Sequence, residues 1–202
     1  MQATSSAQFS ASQARTVPPT VPPIEQVRED VWSIAIPMPG GHIPYSFNYV
    51  FRDTDGGLHV VDAGWDSDEN WQIFVDGVES IGGSISDIRS IIITHMHPDH
   101  IGMAARMREA TGAPVILHRG ERDALVAPRS TSRDGETLAR HLEEWQVPAD
   151  RIDELRVVMG GGPPMAAVTV DRVVEDGELI EMPGITLIPM WTPGHTAGHI
   201  CL

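Results

Sequence analysis

The sequence predicts an α/β domain built in layers. Three observations predict it. Apolar segments alternate between strand and helix periods in the order strand, helix, strand. One of them, IRSIIITH at 88–95, is a nearly continuous β-branched run that suits a strand covered on both faces. A histidine-rich segment then stands where that strand gives way to a helix, the junction at which open α/β sheets bind their ligands. The length of 202 residues fits one domain, or one and a half, and 41% hydrophobic with 21% charged residues is ordinary globular composition.

Taken in order, residues 1–28 are rich in Ser, Gln, Pro and Thr, include the extended TVPPTVPP, and lack the apolar core of a signal peptide. They are expected to be a disordered tail, with the folded domain over 29–202. VWSIAIPM (31–38) alternates and meets Pro-Gly-Gly, a strand and a turn. SFNYVFRD (46–53) is a second strand, ended by DTDGG. LHVVDAG (58–64) is a third, with Asp62 near its end. Residues 68–83 carry apolar positions at helical spacing and close on Gly-Gly, with Asp66 or Asp68 as the expected N-cap. After the 88–95 strand, IGMAARMREATG (101–112) reads as a helix and APVILH (113–118) as a strand. Residues 119–158 read as an acidic helical insertion, clearest at LARHLEEW, and GGGPP at 160–164 breaks the chain. DRVVEDGELI, ITLIPMWTPGH and HICL read as closing strands. The nine Met are expected to fill the core, and Cys201 to be a small core residue on the last strand.

Charge excludes more than length does. Asp plus Glu is 28, and all 14 basic residues are Arg, giving −14. A chain this acidic, without a basic cluster, makes a poor phosphate-backbone binder, so no nucleic-acid partner is expected. No apolar run approaches the roughly 18 residues of a membrane span, so no membrane partner is expected either. A single cysteine forms no internal disulfide, which suits a reducing compartment and an expected cytoplasmic location.

The chemistry is concentrated in Thr94-His95-Met96-His97-Pro98-Asp99-His100, four potential metal ligands within six residues. Strand alternation would set Asp99 with His95 and His97 but turn His100 to the other face; a loop at the strand end can aim all four at one point. A second segment, Trp191-Thr192-Pro193-Gly194-His195-Thr196-Ala197-Gly198-His199, places His195 on a turn fixed by Pro-Gly. It supplies the further ligand that a histidine-rich site needs. His199 is expected to brace this site or face the substrate. His118, ending a strand, is expected to have no catalytic role.

These stretches carry a resemblance. VVDAG at 60–64, THMHPDHIG at 94–102 and TPGHTAGH at 192–199, in that order, resemble the metallo-β-lactamase-fold hydrolases, the superfamily that includes glyoxalase II. The resemblance runs from about residue 31 to 202. It implies a four-layer αββα sandwich with a one- or two-metal site along one edge. Carried over by position, His95, His97 and His195 hold the first metal, and Asp99 and His100 the second, a glyoxalase-II-like pattern. Asp62 braces the ligand loop. The implied cofactor is Zn2+, one or two ions, with Fe or Mn as alternatives. The implied reaction is hydrolysis of an ester, thioester or lactam of a small-molecule substrate: metal-activated hydroxide attacks the carbonyl, and Asp99 orients the nucleophile and carries its proton. The charge weighs against the nuclease branch of the superfamily. The family's bridging Asp and its final His come later than Leu202, so the second half of the sandwich is expected to be incomplete and the chain to be a fragment. The competing expectation is a truncated metal-binding domain without catalytic activity.

Overall fold

The computed structural model describes residues 20–39, 43–126, 135–152 and 167–202. A seven-stranded sheet forms the centre, its strands in sequence order: β1 (Glu25–Arg28), β2 (Val31–Pro37), β3 (Tyr45–Arg52), β4 (Leu58–Val61), β5 (Ile88–Ile93), β6 (Val115–His118) and β7 (Arg172–Val174). The first four pair antiparallel; β4 through β7 pair parallel. The antiparallel half is joined by short turns, and the parallel half by the helical crossovers such pairing requires. These helices are α1 (Asp68–Ser80), α2 (Pro98–Ile101), α3 (Ala104–Thr111), α4 (Arg119–Val126) and α5 (Gly135–Glu144).

The pleat sorts the core into two. Leu58 and Val60 of β4, Ile91 and Ile93 of β5, and Val115 and Leu117 of β6 pack with Phe74 and Val78 of α1 and Met107 of α3. The alternate positions Val61, Ile92 and Ile116 face the other way and meet Val174, Ile180 and Leu187. On that second face lie two small hairpins, β8 (Ile180–Met182) with β9 (Ile185–Leu187), and β10 (Met190–Trp191) with β11 (Ile200–Cys201). Helices on one face and β-structure on the other are the layers expected of an αββα sandwich, with a second sheet of two separate hairpins.

Several expectations are corrected. The tail does not extend to residue 28: Glu25–Arg28 pair with β2. All four of their residues are exposed, so this edge strand is held by backbone hydrogen bonds and leaves no apolar alternation to read. Residues 1–19 lie outside the described residues. Helix α1 is capped by Ser67, whose side chain accepts from the Asn70 amide, and not by Asp66 or Asp68. The expected helix at 101–112 is two pieces, α2 and α3, separated at Gly102 and Met103. Cys201 is exposed, because β11 has one partner strand and turns Ile200, its neighbour, inward. Met103 and Met107 fill the core, but Met190 is exposed. Within 119–158, the described residues are helical at α4 and α5; 127–134 and 153–158, and the GGGPP break, lie outside them.

The second face also buries a polar chain. His59 Nδ1 lies 2.7 Å from Ser90 Oγ, and its Nε2 lies 3.1 Å from Asp53 Oδ2, with all three residues buried. Asp53 further accepts from the Gly57 amide and from Arg89. Burial alone would raise its carboxyl pKa, but the hydrogen bonds from His59, Gly57 and Asp55 and the charge of Arg89 hold it below the ordinary carboxylate value. The residue types are those of a nucleophilic triad, but Ser90 is only 6% exposed. The trio is therefore structural, a tie between β4, β5 and the turn after β3. His59→Ala would leave Ser90 Oγ without its partner and take one of several donors from Asp53, which keeps Gly57, Asp55 and Arg89, and is expected to lower unfolding free energy by about 1–3 kcal/mol in urea titration.

Candidate metal centre

Because β4, β5 and β6 run parallel, their carboxyl ends share one edge of the sheet, and each end delivers part of the site. At the end of β4, Asp62 adopts a left-handed backbone (φ 62°), a conformation that Asp tolerates better than most residues. Its amide donates to Ile92 O at 2.8 Å, which ties the turn to β5. Its buried carboxylate accepts from the Thr94 amide at 2.8 Å, from Thr94 Oγ1 at 2.9 and 3.0 Å, and from His100 Nδ1 at 2.8 Å.

That arrangement orders the protons on His95. The Thr94 hydroxyl donates to Asp62, so toward His95 Nδ1, 3.1 Å away, it presents a lone pair. Nδ1 therefore carries the proton and Nε2 the free lone pair. His95 Nε2 is buried and has no hydrogen-bond partner. Burial, then the neighbouring His100, His97, His195 and His199, push the pKa of His95 down to about 3, so the ring stays neutral. A neutral, buried, unpartnered imidazole nitrogen is what a cation ligand requires and what a structure without a ligand has no reason to keep.

His97 and His195 complete the group. His97 is the N-cap of α2, with Pro98 fixing the first turn, and makes no capping bond with its side chain. His195 comes from the loop between β10 and β11, which docks on the sheet through the Ile200 amide to Thr94 O. His97 Nδ1 and His195 Nε2 lie 2.9 Å apart, and one ring nitrogen from each of His95, His97 and His195 lies within 4.8 Å of the others. Ligand nitrogens in a tetrahedral zinc site stand about 3.3 Å apart, so the three fit such an ion once His97 and His195 part slightly and the widest separation closes. Burial and the adjacent His195 hold His97 below the ordinary histidine pKa, against the opposing charges of Asp99 and Glu121.

Asp99 and His100 adjoin this group on the His95 side. The rings of His95 and His100 are 4.0 Å apart, and His100 Nε2 lies 3.3 Å from Asp99 Oδ2. Burial would lower the pKa of His100, but its bonds to Asp62 and Asp99 prevail and push it up to about 9. The converse holds Asp99 low: His100 outweighs its burial. The ring of His199 lies 5.1 Å from His95, with Nδ1 held 2.8 Å from Thr192 Oγ1. His199, His100 and Asp62 border a cavity of about 950 Å³ that continues past Tyr49, Phe51 and Leu187. All seven residues singled out from the sequence thus gather at one edge. His118 is buried, accepts from the Gly120 amide at 3.1 Å and stacks on Trp191, so it is fully engaged away from the group.

Sequence reasoning missed Glu121. It is fully buried, with Oε2 accepting from the Met96 amide at 2.8 Å and Oε1 from the Gly198 amide at 2.6 Å. Its place in an acidic segment gave no signal, because both partners are backbone groups.

Comparison with known proteins agrees with this architecture. The sequence matches the metallo-beta-lactamase superfamily over residues 44–202. It is 32% identical over 111 residues to a probable metallo-hydrolase, YqgX, of Bacillus subtilis, covering 55% of this chain and 41% of that one. It is 27% identical over 128 residues to a hydroxyacylglutathione hydrolase of Hyphomonas neptunium, covering 63% and 32%. The chain thus spans less than half the length of these curated relatives. Among solved structures, a metallo-beta-lactamase from Cronobacter sakazakii superposes with a TM-score of 0.63 at 22% identity, covering 88% of this chain and 57% of that one. A metallo-beta-lactamase family protein from Thermus thermophilus gives 0.63 at 23%, covering 87% and 56%. Among the described residues no helix is long and apolar enough to cross a membrane. The match over most of the chain, with the shared fold, makes this protein a member of the metallo-beta-lactamase superfamily.

Proposed function

We propose that the chain carries the principal metal centre of a metal-dependent hydrolase acting on an ester, thioester or lactam of a small molecule. The observation that carries this reading is the buried, unpartnered Nε2 of His95, facing a group completed by His97 and His195. These three would hold a first divalent ion, with zinc fitting the nitrogen donors best and iron or manganese as alternatives. Asp99 and His100 would contribute to a second. A bound ion supplies Lewis acidity and brings the pKa of a coordinated water to about 7.

The chain's own residues do the rest. Thr94 and Asp62 fix which nitrogen of His95 is free. Asp62 likewise takes the Nδ1 proton of His100 and leaves Nε2 facing Asp99. Asp99, held ionised by His100, orients the attacking water and accepts its proton. His199, with Nδ1 fixed by Thr192, borders the cavity on the substrate side.

A metal-to-protein ratio by elemental analysis, with hydrolysis assays on aryl-ester, thioester and β-lactam substrates, tests the reading. Bound metal and turnover of one class support it. No metal and no turnover would overturn it. Metal without turnover favours the second reading, a metal-binding domain inactive alone.

A further inference from the structure

We infer that Glu121 is a positioning residue that sets the separation of the two histidine loops and, through it, the affinity of the centre for metal. The inference rests on the metal-centre reading above. The two loops are far apart in sequence, and Glu121 bonds to the backbone of both. One oxygen of Glu121 takes the Met96 amide, between His95 and His97. The other takes the Gly198 amide, three residues beyond His195. A single carboxylate therefore links both loops from the first turn of α4, beneath the site and out of contact with solvent.

The surrounding backbone is shaped for this link. A Cβ on Gly198 would lie 2.4 Å from the Glu121 amide nitrogen and 2.8 Å from the Gly120 carbonyl carbon. A Cβ on Gly120 would lie 2.9 Å from Gly198 Cα. Both positions need glycine so that the His195 loop can come close enough for Glu121 to reach its amide. The reach is specific: aspartate is one methylene shorter, and glutamine presents N–H where one of the two amides needs an acceptor. Hydrogen bonds from backbone amides to a buried carboxylate are charge-assisted and lose most when the charge is removed.

Cobalt(II) titration followed by its visible ligand-field absorption tests this, with hydrogen exchange of the Met96 and Gly198 amides measured in the metal-free protein. In Glu121→Gln, cobalt affinity is expected to fall about 10–100-fold with the stoichiometry kept and the spectrum shifted, and both amides to exchange faster. Gly198→Ala keeps the carboxylate but wedges the loops apart, and should weaken cobalt in the same way; it decides the matter if Glu121→Gln folds poorly. His59→Ala destabilises the fold through Ser90 and Asp53, neither of which bonds to a histidine loop, and should leave cobalt affinity within about threefold, which separates positioning from general loss of stability. Equal cobalt affinity and unchanged spectra in wild type and both loop variants would overturn the inference while leaving the metal centre standing. Failure of the wild type to bind cobalt would overturn the centre, and the inference with it.

Discussion

Replacing His97 with alanine is expected to lower zinc affinity at the first position by at least about a thousandfold, while His118→Ala changes it by less than about threefold. A three-nitrogen site that loses one ligand keeps two, too few to hold the ion against water. His97 has no other structural duty. It caps α2 through its backbone, its ring makes no capping bond, and its Nδ1 lies against His195. The His97→Ala protein should therefore fold with its stability changed by no more than about 1 kcal/mol. His118 is the reverse case. It is buried against Trp191 and accepts from Gly120, so truncation is expected to cost about 1–3 kcal/mol of stability but no metal ligand. Competition against a chromophoric chelator reads the affinities, and urea titration the stabilities. Equal losses of zinc in both variants would show that the ligands have been misassigned.

The contrast between these histidines also explains what the sequence made legible. His95, His97, Asp99 and His100 stand within six residues at a strand end, so contiguity alone suggested that they meet. The parallel β4, β5 and β6 bring Asp62 to the same edge, a place that only the resemblance carried by VVDAG implied. Partners that act through the backbone left no such trace. Glu121 bonds two amides 25 and 77 residues away, and no pattern of side chains records an amide. Strand β1 was hidden for the same reason, being an exposed edge held by backbone bonds. The N-cap of α1 fell among Asp66, Ser67 and Asp68, three residues equally able to cap, and only the local geometry selects Ser67. The tie of His59 to Ser90 depends on β4 and β5 pairing in register, which is a property of the fold and not of either segment.

Asp62→Asn is the variant in which fold and site are most closely linked. The carboxylate receives three donors: the Thr94 amide, the Thr94 hydroxyl and His100 Nδ1. Asparagine keeps the shape but offers one oxygen, so at least one buried donor loses its partner, at about 1–3 kcal/mol. The His100 ion pair adds a part that depends on pH. Burial opposes the imidazolium, yet Asp62 and Asp99 push the His100 pKa from 6.5 up to about 9 in the folded protein. A pKa raised on folding means that the protonated form favours the folded state. The pair's contribution is therefore complete below pH 6.5, declines as pH rises, and is gone above about 9. Allowing for solvent near the ring, it amounts to roughly 1–2 kcal/mol. In metal-free protein the stability gap between wild type and Asp62→Asn should thus be widest near about pH 6 and shrink by about pH 9.5 to the part owed to Thr94. Urea titrations at the two pH values measure it. A gap independent of pH would mean that His100 is neutral in the folded state and that Asp62 acts through Thr94 and His95 alone. A gap that grows with pH would reverse the sign and remove the ion pair from the account of how the site is held.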